Sequence, residues 1–296
     1  MQYVLFVWAA AFMLSFFEKK SSTKTGGMAS TFAFVGVRNA VGVGLALAVS
    51  LVLGEGFNFT PTLILSAFIF GILVVVDIVN LMYLAKSGVM ALVMVCGYAG
   101  SIVVPSVVGM LFWNAPVRPI QWLFVAVLLV ASYILCDTSK GMYNFNIKTV
   151  GMLVIRFVVN GLGSVATGIY AKSGEGNENL FLCASYFFSA LVALMVAVIL
   201  STSKKRANGE IKNDFKIDKK YMLLGMGSMV ATYLINLFTT IAQGVLDPVI
   251  FFPLSAVGSI TTAALVGAIF FKERFTVKSV IGIVLACVSV AMINIL

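Results

Sequence analysis

Two charged residues sit deep inside apolar runs of this chain: Arg38 in VGVRNAVGVG and Asp77 in LVVVDIVN. An ionisable side chain at such depth is costly in lipid and must face a cavity or a neighbouring helix. The guanidinium of Arg38 offers a planar fork of donors suited to a carboxylate or phosphate. Asp77 can accept a substrate amine or a proton, and Asn80 shares its helical face at i+3. The pair reads either as a structural ion pair or as a grip for an amino acid or another zwitterion or anion. Both residues lie near mid-depth, and Arg38 and Asp77 are expected to neutralise each other.

Further polar residues follow helical spacing. Arg156, Asn160, Gly163 and Thr167 fall at i, i+4, i+7 and i+11, one stripe of a helix. Arg156 lies about 10 Å from the end of its run at 1.5 Å per residue. It can therefore either face inward or snorkel to the headgroups. Tyr233 and Asn236 stand 156 positions after Asp77 and Asn80. Tyr98 and Tyr186 complete the set of candidate substrate-binding residues.

This inventory does not suit an enzyme. The chain has no histidine, no HExxH, no paired membrane aspartates and no nucleophile elbow. No catalytic residue and no metal site is expected. The four cysteines, Cys96, Cys136, Cys183 and Cys287, each fall in or at the end of an apolar run and form no CxxC. They read as small buried hydrophobes. With no P-loop either, no cofactor is expected, and any work must be driven by a gradient or by the solute itself.

The elements that hold these residues are set by composition. Of 296 residues, 61% are hydrophobic and 10% charged, at a mean hydropathy of +1.07. That points to an all-α integral membrane protein. A helix needs about 20 apolar residues to cross a bilayer. Ten runs qualify: 2–17, 28–53, 61–84, 88–112, 119–136, 149–171, 179–200, 221–243, 248–271 and 277–296. The loops after the odd-numbered runs hold 16 of the 20 lysines and arginines, which places those loops in the cytoplasm and both termini outside. The net charge of +9 is explained by these loops, so anionic lipid headgroups and not nucleic acid are the expected partners. The longest, 201–220, reads as a cytoplasmic linker. Asp247 and Pro248 read as the cap and first turn of the ninth run.

The chain also repeats itself. GYAGSIVVPSVVGMLF at 97–112 and SAVGSITTAALVGAIF at 255–270 share six residues at an offset of 158, among them Gly100/Gly258 and Ser101/Ser259. Gly71/Gly227 and Asn80/Asn236 match at an offset of 156. Two five-helix units follow, 1–137 and 138–296. Because five is odd, the second is inverted relative to the first, as in many secondary transporters. Gly97, Ser101 and Pro105, like Ser255, Ser259 and Ala263, form small-residue lines that let helix backbones approach closely.

The segment SAVGSITTAALVGAIFFKERFTVKSVIGIVLACVSVAMINIL resembles the last two helices of the drug/metabolite transporter superfamily. The resemblance is to its ten-helix EamA-like branch and to the small multidrug resistance proteins. VGVRNAVGVGLALAVS is similar to the first-half pattern of that superfamily. The resemblance implies ten helices around a central cavity that moves a small-molecule substrate by alternating access. In small multidrug proteins the first helix carries a glutamate. The corresponding runs here, the second and seventh, lack an interior carboxylate and hold Arg38 and Tyr186. Export of an amino-acid-like metabolite from the bacterial cytoplasm is the first expectation, by a monomer or weak homodimer. A sugar or nucleotide-linked solute, a cationic drug, or a non-transporting scaffold are the alternatives.

Overall fold

The first apolar run does not end where its hydropathy falls. Helix α1 spans Gln2–Ser22 and carries Glu18, Lys19 and Lys20 within its last turns. Residues 18–20 were expected in a loop. They remain helical because Glu and Lys are good helix formers, and neighbouring helices cover their side chains. The computed structural model describes residues 2–22, 27–87, 90–112, 147–173, 177–208, 219–245, 248–272 and 276–295. It also describes Ile120, Leu123, Ala126, Val127, Val130, Ala131 and Ile134, each of them helical. The remaining helices are α2 (Met28–Leu53), α3 (Pro61–Ser87), α4 (Met90–Phe112), α5 (Ile147–Lys172), α6 (Glu178–Asn208), α7 (Lys219–Val245), α8 (Pro248–Phe271) and α9 (Val277–Ile295).

The ends of these helices are written in local chemistry. Gly54 closes α2 at φ +67, where its lack of a side chain removes the penalty of the left-handed region. The backbone N–H groups of Gly54 and Glu55 then bond the orphan carbonyls of Leu51 and Ser50. Thr60 caps α3 by accepting the Leu63 N–H at 3.1 Å, with Pro61 in the first helical position. Asn177 does the same for Leu180 at the start of α6. Helix α6 runs on to Asn208, so the first eight residues of the predicted linker 201–220 are helical. Residues 209–218 and the Asp247 cap lie outside the described residues, as does most of the fifth run.

The architecture is all-helical. Five described helices contain segments long and apolar enough to cross a membrane: Met28–Leu53, Pro61–Leu84, Ile147–Ala171, Glu178–Thr202 and Tyr221–Thr239. The chain is thereby an integral membrane protein by length and composition.

Helix directions follow from paired contacts. Val93 and Gly97 of α4 meet Arg156, and Val104 meets Gly161, so α4 and α5 run parallel. Phe34 meets Tyr221, and Arg38 meets Ser228 and Thr232, so α2 and α7 are also parallel. So are α1 and α8, with Trp8 against Gly258 and Phe16 against Phe270. In contrast, Gly36 faces Leu194, Asn39 bonds Ser189, and Gly42 faces Tyr186; α2 and α6 cross antiparallel. Asn80 lies against Met152 while Phe70 lies against Gly163, so α3 and α5 are antiparallel too.

The doubled segment finds its use at α4 and α8. A side chain on Gly100 would collide with the Phe157 carbonyl of α5, and one on Gly258 would collide with the Trp8 ring of α1. Gly100 thus stands where α4 presses on α5, and Gly258 where α8 presses on α1. The close approach is carried by Gly100 and Gly258, not by the neighbouring Gly97–Ser101–Pro105 line.

Candidate functional site

One cavity of about 270 Å³ gathers residues from α1 to α8. That is near the lower end for small-molecule sites, about 300–1,000 Å³. Its walls are largely apolar, with Phe70, Leu73, Val74, Ile78, Met94 and Ile102 among them. Among the described residues, four charged side chains stand against this background: Glu18, Arg38, Asp77 and Arg156.

They form two pairs, neither of which is the expected one. Arg38 does not meet Asp77. It lies 2.9 Å, Nη2 to Oε1, from Glu18, and both side chains are buried. Asp77 instead pairs with Arg156 at 2.7 Å. The correction has a geometric reason. Helix α3 packs against α5 and α6 far more than against α2, so Asp77 looks across to the second half of the chain. Arg156 is 4% exposed and turned inward, which removes the snorkelling alternative.

The Arg38 guanidinium is held on every side. Its Nε donates to the Ser228 hydroxyl at 2.7 Å, and Nη2 donates to the Thr232 hydroxyl at 2.6 Å. Nη2 also reaches the Ser228 carbonyl at 3.4 Å, and Nη1 reaches Asn39 Oδ1 at 3.5 Å. Arg156 gives Nε to the Val93 carbonyl at 3.0 Å and Nη1 to Asp77 Oδ1. Asn160 donates to the same Asp77 oxygen at 2.5 Å. Asp77 is the most open of the four, its side chain 26% exposed.

Of the ten residues predicted from sequence, Arg38, Asp77, Tyr98, Arg156, Asn160, Thr167 and Asn236 line this cavity. Asn80, Tyr186 and Tyr233 do not. Asn80 donates to the Met152 carbonyl at 2.9 Å and fastens α3 to α5. The Tyr186 hydroxyl accepts from Asn236 at 2.8 Å. Tyr233 donates to Asn179 at 2.8 Å, and Asn179 in turn donates to Glu55 at 2.9 Å. These three act between helices. Tyr233→Phe should therefore lower stability by about 1 kcal/mol, the net worth of one such bond. Ligand affinity should stay unchanged; thermal unfolding with and without ligand would check both.

The sequence reading missed Glu18 and Ser15. The signal was present: Val7, Ala11, Leu14, Ser15 and Glu18 fall on one face of α1, and all line the cavity. That stripe runs past the end of the apolar window and so escapes a count based on hydropathy. The smaller hydroxyls Ser164, Thr232 and Thr239 also line the cavity and were not singled out.

No protein-family model matches this chain, and no curated protein matches it. Its fold does match solved structures, 25 chains in all. One, described only as a crystal structure of a protein, superposes with a TM-score of 0.68 at 14% identity. The match covers 100% of this chain and 99% of that one. At that identity the likeness speaks for the fold alone.

Proposed function

We propose that this protein is a secondary transporter that moves a small organic solute across a cell membrane by alternating access. In this reading ten spans form two inverted five-helix repeats, 1–137 and 138–296. Loops after odd-numbered spans lie in the cytoplasm.

One observation carries the reading: the helix neighbours pair up when the halves are exchanged. Replace α1–α4 by α5–α8 and the reverse. The α4–α5 contact becomes α8–α1, α1–α7 becomes α5–α3, and α3–α6 becomes α7–α2; all six are present. The α2–α6 and α4–α8 contacts map onto themselves. Such exchange is what a pseudo-two-fold axis between inverted repeats produces. The parallel run of α4 and α5 supports the count of ten. A chain leaving α4 must recross the bilayer before entering α5 in the same direction, and the helical residues between Ile120 and Ile134 are available for that crossing. The central cavity with two buried ion pairs gives the repeats something to enclose. The sequence resemblance to the drug/metabolite transporter superfamily points the same way.

Alternating access makes a specific demand on Thr167, near one end of the cavity. In a cysteine-free background, Thr167→Cys should react with a membrane-impermeant thiol reagent from one side of a sealed vesicle. Adding a transported solute should change that rate several-fold. Labelling that never responds to any solute would contradict transport through this cavity.

A further inference from the structure

One patch of the cavity wall has spent its donors and kept its acceptors. Both bonds to Asp77 fall on a single carboxylate oxygen: Arg156 Nη1 and Asn160 Nδ2 donate to Oδ1. Among the described residues none donates to Oδ2, and the Asp77 side chain is 26% exposed. Asn160 gives its amide hydrogens to Asp77 and to the Arg156 carbonyl at 3.1 Å, so its Oδ1 is left to accept. Ser101 donates to the Tyr98 carbonyl at 2.9 Å, and Ser164 donates to the Asn160 carbonyl at 3.1 Å. A hydroxyl has one hydrogen, so each of these oxygens keeps only lone pairs for a visitor. All four residues line the cavity, and Ser101, Asn160 and Ser164 are half-buried. Ser164 stands one turn, about 6 Å, beyond Asn160 on α5, so the acceptors form a short ladder that starts at Asp77.

The same patch carries no net charge, because Arg156 neutralises Asp77 at 2.7 Å. An ion entering a largely apolar cavity must shed its water at a cost, and a closed pair offers no net charge in return. A solute carboxylate would set lone pairs against lone pairs. A solute ammonium would bring a second cation up to the Arg156 guanidinium. A neutral N–H group meets neither objection. Phe70, Leu73 and Val74, on the same helix as Asp77, continue the wall as apolar surface.

On these grounds, and resting on the transporter reading above, we propose that the solute is an uncharged molecule whose head donates hydrogen bonds, of the primary carboxamide class. Its N–H groups go to Asp77 Oδ2 and to the neighbouring acceptors of Asn160 and Ser164. Its body lies along Phe70, Leu73 and Val74. No bond is made or broken, and the Asp77–Arg156 pair stays closed. That distinguishes the proposal from the zwitterion expected on the sequence.

Compounds that share a branched apolar body separate the possibilities: 4-methylpentanamide, its N,N-dimethyl derivative, 3-methylbutylamine, leucine and 4-methylpentanoate. With the purified full chain, 4-methylpentanamide should raise the melting temperature in a concentration-dependent way, because a ligand stabilises the state it binds. The dimethyl derivative keeps the carbonyl and loses both donors, so it should give little or no shift, and the three charged compounds should give less than the amide. Asp77→Asn should weaken the amide about tenfold, and Ser164→Ala about threefold. Ser164→Ala leaves both ion pairs intact, so it decides the matter if Asp77→Asn does not fold. An equal or larger shift with any of the other four compounds, no shift with the amide, or unchanged amide binding in Ser164→Ala and any folded Asp77→Asn would overturn the proposal. The transporter reading is tested separately, by thiol labelling of the Thr167→Cys variant; an amide that binds without altering that labelling counts against transport and not against the site.

Discussion

Asp77→Asn or Arg156→Met alone should destabilise the protein by about 3–5 kcal/mol, and the double change should recover most of that loss. Breaking a buried pair from one side leaves an uncompensated charge, whereas removing both partners can be nearly neutral. The pair spans 2.7 Å and Arg156 is 4% exposed, so water cannot replace Asp77 cheaply; Asp77 is 26% exposed, which puts Arg156→Met toward the lower end of that range. Asn160 also donates to Asp77 Oδ1, so part of the loss at position 77 is independent of Arg156 and is not recovered in the double variant. Arg38→Met and Asp77→Asn form the informative contrast. They belong to different pairs, so their coupling should be far smaller than that between positions 77 and 156. Unfolding of the single variants and both doubles in detergent would read out the cycle. Strong coupling between positions 38 and 77 would contradict the pairing described here.

The largest effect of a single small change is expected at Gly100. Gly100→Ala places a methyl against the carbonyl oxygen of Phe157, and that oxygen belongs to the backbone of α5. A flexible side chain could turn aside; a helix backbone cannot. Helices α4 and α5 must separate, which also pulls Arg156 from the Val93 carbonyl. Overpacking typically costs about 1–3 kcal/mol, and a clash with rigid backbone places Gly100→Ala at or above about 3 kcal/mol. Gly44→Ala is the control. Nothing lies within 4 Å of a side chain there, so the substitution should be neutral or stabilise by up to about 1 kcal/mol through helix propensity alone. Melting temperatures of the two variants, measured side by side, would test the contrast.

The helices were legible in the sequence wherever apolar length alone defines them. The runs 28–53 and 248–271 match α2 and α8 to the residue. The polar stripe of α5 was legible because helical spacing is a local property, and Arg156, Asn160 and Thr167 do share the cavity. What the sequence could not reveal was who meets whom. Arg38 and Asp77 appeared to be the two charges at mid-depth, and their pairing followed from elimination. Elimination failed because Glu18 sits in EKK, a stretch whose composition says loop. Whether such a stretch is solvated depends on what packs over it, and α2 and α7 bring Arg38 and Ser228 to that place. Tyr186 and Tyr233 failed as cavity residues for a related reason. A polar side chain inside a membrane helix must find a partner, but another helix serves as well as a cavity.

The two ion pairs have an electrical consequence. Among the described residues that line the cavity, Glu18 and Asp77 balance Arg38 and Arg156 when all four are charged. In a carrier of the proposed kind, reorientation with nothing bound would carry no net charge through the membrane field. A solute with one elementary charge would add that charge to the loaded form, worth about 2.3 kcal/mol per 100 mV across the full field. Voltage would then act on the loaded step and leave the return step alone. A polarised cell would hasten or stall the passage of a charged solute through this protein without changing how readily the unloaded form turns over.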